Sequence, residues 1–182
     1  EWYYSKLKPE ADGIELITSE KEDYTQLIKT SVRLNPGRIM LAETRSVEAA
    51  ELLEAWSTGM KGITTLHTDD LRSVPDRFLN MMNCIGSKSH ENNIYEYLDV
   101  AVLIKAKKND NGTYTRYIDQ VAYYYHDENR KKITLIVEDG QHTGEKIPDY
   151  IMKKFRDELI SNPYELDKDL KEKVKFYEEK KE

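Results

Sequence analysis

RIMLAETRSVEAAELLEAWSTGMKGITTLHTDD, residues 38–70, decides how the rest of this chain is read. Two short apolar runs, RIMLA (38–42) and GITTL (62–66), each end in a chemically capable side chain: Glu43 after the first, His67 after the second. Runs this short, bounded by turn residues, have the texture of strands buried on both faces. Asn35-Pro36-Gly37 closes off whatever precedes the first run. Between the runs, Ala49, Leu52, Leu53 and Trp56 recur at helical spacing. Ser46 is the natural N-cap there, Glu48 falls in the first turn, and Gly59 stops the helix. Strand, helix, strand predicts two parallel strands joined by a crossover helix.

The pattern extends in both directions. Upstream, IELIT (14–18) reads as a strand, and Tyr24, Leu27, Ile28, Ser31 and Val32 follow at helical spacing. Downstream, a helix is expected over 71–82, with Val74, Phe78, Met81 and Met82 on its buried face. After Gly86 the texture changes. LDVAVLIKAK (98–107), the turn signal Asn109-Asp110-Asn111-Gly112, YTRYIDQVAYYYH (114–126), the turn Asp127-Glu128-Asn129 and KITLIVED (132–139) predict an antiparallel three-strand meander. Pro148 opens a helix to residue 160, which Asn162-Pro163 breaks. Residues 164–182 are highly charged, with Leu166, Leu170, Val174 and Tyr177 as a narrow stripe, either a surface helix or a partner's docking strip. The expected divisions are therefore 1–86, 87–147 and 148–182, in an α/β chain of parallel sheet, antiparallel meander and C-terminal helices.

The bulk composition excludes several classes. A chain of 182 residues has room for one domain with a real core. The net charge of −6 argues against a nucleic-acid grip over the whole surface. No apolar stretch is long enough to span a bilayer, and no signal peptide is visible. Cys84 is the only cysteine, which excludes an intramolecular disulfide and favours a reducing compartment. The start at Glu1 rather than Met suggests a processed chain or an excised fragment.

In a parallel α/β sheet, ligands sit beyond the carboxyl ends of the strands. Glu43 and His67 stand at two such ends, so neighbouring strands would turn both toward one crevice. A carboxylate there can orient an attacking water or hold Mg²⁺ through water, and a histidine can bond a phosphate oxygen. Thr64 and Thr65 offer hydroxyls, Asp69 and Asp70 further carboxylates. Each has a plainer reading: Glu43 with Arg45 as a strand-end ion pair, His67 as a cap, Asp69 and Asp70 as first-turn residues of the next helix. Tyr123-Tyr124-Tyr125-His126 is open in the same way, as a contact surface or as filling for alternate faces of a sheet.

The order and spacing of the motifs resemble the traffic ATPases of type II and type IV secretion, hexameric RecA-like motors of protein secretion, pilus assembly and DNA conjugation. The matching elements are R-x-x-P-x-R-I (33–39), the Walker B run ending in Glu43 with Arg45 beyond it, and Glu48-Ala49. T-G-x-x-G (58–62), the histidine box T-T-L-H (64–67) and Arg77 ten residues after the histidine complete the series. The resemblance is clear over 24–82, weaker through the antiparallel strands and not evident in the tail. It implies a partial RecA-like sheet in which Glu43 is the Walker B glutamate, placing water and, through water, the Mg²⁺. His67 becomes the histidine-box residue sensing the γ-phosphate side, with Arg45, Thr64, Thr65 and Arg77 helping to organise the nucleotide site or a subunit boundary. The family's usual glycine before the glutamate is Ala42 here. The family's upstream aspartate box would survive at most in Glu1-Trp2.

The larger departure is the phosphate loop. G-x-x-x-x-G-K-[ST] cradles phosphates with backbone amides and one lysine, and neither Gly-Lys-Ser nor Gly-Lys-Thr occurs in the sequence. Gly144-Glu145-Lys146-Ile147 lacks the paired glycine, the adjacency and the hydroxyl. The chain therefore resembles the C-terminal part of a motor domain. The resemblance implies ATP and Mg²⁺ for the longer protein, with none held tightly by this piece, and no useful hydrolysis by these residues alone. It further implies a hexamer, secretion or conjugation subunits as partners, and a cytoplasmic place against the inner membrane through them. Sheet edges left open would invite a dimer or a domain swap of the isolated chain. Two other classes stay in view. One is a non-catalytic assembly module that docks on machine subunits. The other is a metal hydrolase built on Glu43, His67, Asp69 and Asp70, although His90, His126 and His142 supply no second histidine at ligand spacing.

Overall fold

The computed structural model describes residues 13–83, 87–157 and 160. Glu1-Trp2, Cys84 and the 163–182 tail lie outside the described residues. The chain divides into two compact units, with the break between Glu145 and Lys146.

In the first unit the elements run α1 (Tyr24–Arg33), β1 (Arg38–Leu41), α2 (Glu48–Ser57), β2 (Lys61–Thr64), a 3₁₀ turn (Leu71–Ser73) and α3 (Val74–Met81). They continue with α4 (Lys88–Tyr97), β3 (Val100–Lys108), β4 (Tyr114–Asp127), β5 (Arg130–Glu138) and β6 (Gln141–His142). The second unit contributes α5 (Asp149–Asp157), an amphipathic helix whose Ile151 is buried.

The opening stretch forms the expected strand–helix–strand unit, although β2 is not buried on both faces: Ile63 is 60% exposed. β1 and β2 are parallel neighbours, in register from Arg38 opposite Lys61 to Leu41 opposite Thr64. Ile39 and Leu41 are buried and enter one core cluster with Ala49, Leu52, Leu53 and Trp56 of α2 and with Val74, Phe78 and Met82. Burying a side chain the size of Leu52 or Phe78 is worth roughly 1.5–3 kcal/mol, so this cluster is what holds a two-strand sheet that would not stand by itself. β2 passes close under α2. A Cβ at Gly62 would lie 2.1 Å from the Trp56 indole nitrogen and 3.0 Å from the Ile39 carbonyl, so only glycine fits. Gly59 sits at φ +91° beyond the Thr58 cap, the left-handed position that ends α2.

β3, β4 and β5 form the expected meander, extended by β6 in the order β3-β4-β5-β6. Gly112 at φ +81° closes the first hairpin, and Glu128 and Asn129, both at positive φ, make the tight second one. Leu103, Ala122, Tyr124 and Leu135 join the same core cluster as β1 and α2, so the two sheets share one interior.

Three expectations are corrected. Residues 14–18 form no strand: the segment is irregular, Ile14 is 70% exposed and Ile17 82%. Among the described residues it has no neighbouring strand to complete its hydrogen bonds. Ser46 does not cap α2. Val47 stands at the N-cap without a side-chain bond, and the Glu48 carboxylate reaches back to the Arg45 and Ser46 amides ahead of the cap. The helix expected over 71–82 opens as a 3₁₀ turn, capped by Asp70 through the Arg72 amide. α4 had no expectation at all. Ser87 caps it, and Ile94 is its one fully buried residue, too little apolar periodicity to read.

Candidate functional site

The site forms because β1 and β2 end side by side. Beyond them, the Thr44 amide donates to the Thr65 carbonyl at 2.8 Å, and the Thr65 hydroxyl donates to the Ala42 carbonyl at 2.5 Å. The hydroxyls of Thr44 and Thr64 lie 2.7 Å apart, with Thr44 buried at 2% exposure. These bonds carry the parallel pairing past the formal strand ends. They also fix the backbone on both sides of Glu43 and on the near side of His67.

Glu43 and His67 therefore meet. One carboxylate oxygen of Glu43 lies 3.1 Å from His67 Nε2, and the other lies 3.8 Å from an Arg45 guanidinium nitrogen. Glu43 is one-third exposed, whereas the His67 side chain is 90% exposed. A half-sheltered carboxylate bracketed by an imidazole and a guanidinium, open to solvent on the histidine side, can orient water and bear charge on an incoming group.

A second carboxylate supports the first. Glu48 is only 5% exposed, and its Oε1 accepts from the backbone amides of Arg45 at 2.8 Å and Ser46 at 3.0 Å. It satisfies two backbone amides of the loop that leads into α2 and so holds the segment that carries Glu43 and Arg45. Its signal in the sequence was an acidic residue in a first helical turn, which is common and mostly dipolar in meaning.

The other sequence candidates are placed differently. The hydroxyls of Thr64 and Thr65 are engaged between the strands, as described. Asp70 caps the 3₁₀ turn and pairs with Arg72 at 3.3 Å, while Asp69 is exposed. Arg77 is exposed on α3, and no contact among the described residues brings it to Glu43. The plain reading of Glu43 with Arg45 as an ion pair also holds, at long range. His67 caps nothing: that role falls to Asp70.

One residue escaped the sequence reading, and a second, read there as contact surface or sheet filling, has a further bond. Gln120, 6% exposed on β4, accepts the Leu71 amide at 2.8 Å. The fully buried hydroxyl of Tyr124 donates to the Leu71 carbonyl at 2.7 Å. Burial pushes the Tyr124 phenol well up, so it stays protonated and remains a donor through neutral pH. Arg72, next in line, bonds Glu138 of β5 at 2.7 Å, and that bond is the main reason its guanidinium is held above its ordinary value.

No group of three or more His, Cys, Asp or Glu side chains that could hold a metal ion occurs among the described residues. Asp70 is engaged in capping the 3₁₀ turn. The Gly144 turn is no phosphate cradle either. The Gly144 amide donates to His142 Nδ1 and the Glu145 amide to the Thr143 hydroxyl, so both donors are taken. Among the described residues no helix is long and apolar enough to cross a membrane.

Known proteins supply an independent comparison. The chain is 27% identical to the conjugal transfer protein TrbB of Rhizobium radiobacter over 134 residues, 73% of this chain and 41% of the relative. It is 31% identical over 103 residues to a probable conjugal transfer protein TrbB of Sinorhizobium fredii, 56% of this chain and 32% of the relative. It thus spans less than half the length of these relatives. Among solved structures, the ATPase DotB of Yersinia pseudotuberculosis superposes on 62% of the chain with a TM-score of 0.50 at 16% identity, which speaks to the fold alone. A family model matches residues 9–134, a stretch containing β1 to β4, the start of β5 and the Glu43–His67 pair, and the chain belongs to the family of type II/IV secretion system proteins.

Proposed function

We propose that this chain is the Walker B and histidine-box part of a secretion or conjugation motor ATPase. The observation that carries the reading is the 3.1 Å approach of Glu43 to His67 at the ends of two parallel strands. In this reading Glu43 orients the attacking water and steadies Mg²⁺ through a bound water, and His67 senses the γ-phosphate side. A Mg²⁺–ATP complex would supply the electrophilic phosphorus and the charge neutralisation. The chain's own donors fit that task in part. Glu43 presents a partly exposed carboxylate, but the sequence contains no Gly-Lys-Ser or Gly-Lys-Thr to cradle phosphates. The phosphate loop must therefore be supplied in addition to these residues. Arg45 and Arg77 would act at the nucleotide or at a subunit boundary. A ring of subunits, cytoplasmic and held to the membrane through secretion or conjugation components, is the assembly this reading carries.

The test is hydrolysis. The longest natural chain that contains this sequence is expected to show Mg²⁺-dependent ATPase activity that Glu43→Gln lowers by about 10²-fold or more, the loss typical of an acid–base group. Activity that survives Glu43→Gln would sink the assignment. The 182 residues alone are expected to show none.

A further inference from the structure

His67 stands in a stretch without regular structure, between the end of β2 at Thr64 and the 3₁₀ turn that starts at Leu71. Its near anchor is Thr65, tied to Ala42 and Thr44 as described. Its far anchor is Leu71, and that anchor comes from another part of the fold. Both polar groups of Leu71 are held by β4, the amide by Gln120 and the carbonyl by Tyr124, with both bonds buried. The next residue, Arg72, is held by Glu138 of β5. Inside the stretch, the Thr68 hydroxyl donates to the Asp70 carbonyl and lies 2.8 Å from the Ser73 hydroxyl, so the turn moves as one piece.

We infer that Gln120, Tyr124 and Glu138 are positioning residues for His67, through which the antiparallel sheet sets the placement of the histidine against Glu43. The chemistry favours this over ordinary core packing. A buried amide and carbonyl need partners wherever the turn sits, but here both partners come from one strand, at buried positions four residues apart. A displacement of β4 along or across its axis therefore carries Leu71 with it. The chain then swings His67, whose side chain is 90% exposed and meets Glu43 at 3.1 Å. A shift of the meander, driven by a neighbouring subunit or by a transported partner, would in this way reach the Glu43–His67 pair. The inference rests on those two residues forming the site proposed above.

The test reads the pair directly, in the 182-residue chain and without nucleotide. The imidazole ¹⁵N signals of His67 are recorded with and without Glu43→Gln, first in the unmodified chain and then in a Gln120→Met/Tyr124→Phe background. Glu43→Gln is expected to move the His67 signals in the unmodified chain, and the response is expected to shrink by about twofold or more in the double variant. An equal response in both backgrounds overturns the inference. No response in the unmodified chain overturns the pair itself, and the inference with it. Should the double variant not fold, Arg72→Gln carries the same test, since its side chain is 49% exposed. There a reduced response supports the inference and an unchanged one overturns it. Failure of ATP hydrolysis would leave the ring signals untouched, so the two readings fail separately.

Discussion

Gly62 shows how closely β2 lies under α2. An added methyl would meet the Trp56 indole nitrogen at 2.1 Å and Cε2 at 2.9 Å. Among the described residues that nitrogen is also a buried donor without a hydrogen-bond partner, so Trp56 contributes here through its shape. Gly62→Ala is expected to cost about 1–3 kcal/mol by overpacking, measured as a shift in urea midpoint. The cost should be smaller in a Trp56→Phe background, where the five-membered ring is gone. An equal cost in both backgrounds would mean that the clash falls on the Ile39 carbonyl instead. At this scale the sequence was most informative where a residue type sat at a boundary. Glu43 and His67 were marked by the apolar runs before them. Gln120 and Tyr124 were not, because their partner is the backbone of Leu71, and a backbone group has no signature of its own.

Among the elements, the loop into α2 depends on a carboxylate from within the helix, and no serine caps it. Glu48→Ala leaves the Arg45 and Ser46 amides without their acceptor, and the expected loss is about 1–2 kcal/mol. Glu48→Gln keeps an oxygen in place and should lose less. Equal losses in chemical denaturation would show that the charge, and not the acceptor, matters. β4 gives a pH prediction. Burial raises the Tyr124 phenol above its ordinary value of 10.0. The unfolded chain therefore releases that proton first, and the contribution is intact below about pH 10 and lost as pH rises through the folded value. The fall in stability between about pH 9 and 11 is expected to be shallower in Tyr124→Phe, read from denaturant midpoints. The elements that periodicity could read were those with one clean buried stripe: α1, α2, α3 and the meander strands. α4 escaped because its burial rests on Ile94, and residues 14–18 deceived because apolar composition supplies no strand partner.

For the whole chain, the open edges carry the prediction. β1 and β2 pair only with each other among the described residues, and β3 is an end strand of the second sheet, with Val100, Val102 and Ile104 between 45% and 61% exposed. Unpaired edges with apolar side chains template association. Light scattering of the purified chain is therefore expected to show dimers or larger species as concentration rises, and a monomer throughout would count against it. The fold class was readable at this scale because strand–helix alternation and hairpin turns are local signals. The sharing of one interior by the two sheets was not, since it joins residues as distant as Ile39 and Leu135.

The irregularity in β4 has one more consequence. Leu103 pairs with Gln120 and Ile104 with Ile118, so Asp119 is an extra residue in the strand. That is why two successive side chains, Asp119 and Gln120, are both buried, with Asp119 answered by Lys105 at 2.7 Å. Removing one residue here would not merely shorten the strand. It would make the ladder regular, with Ile118 and Gln120 consecutive opposite Ile104 and Leu103, so that Ala122 and Tyr124 keep their inward faces. What the extra residue supplies is a buried carboxylate and its ion pair with Lys105, so a single-residue gap at Asp119 is expected to cost that pair while leaving the phase of the strand intact.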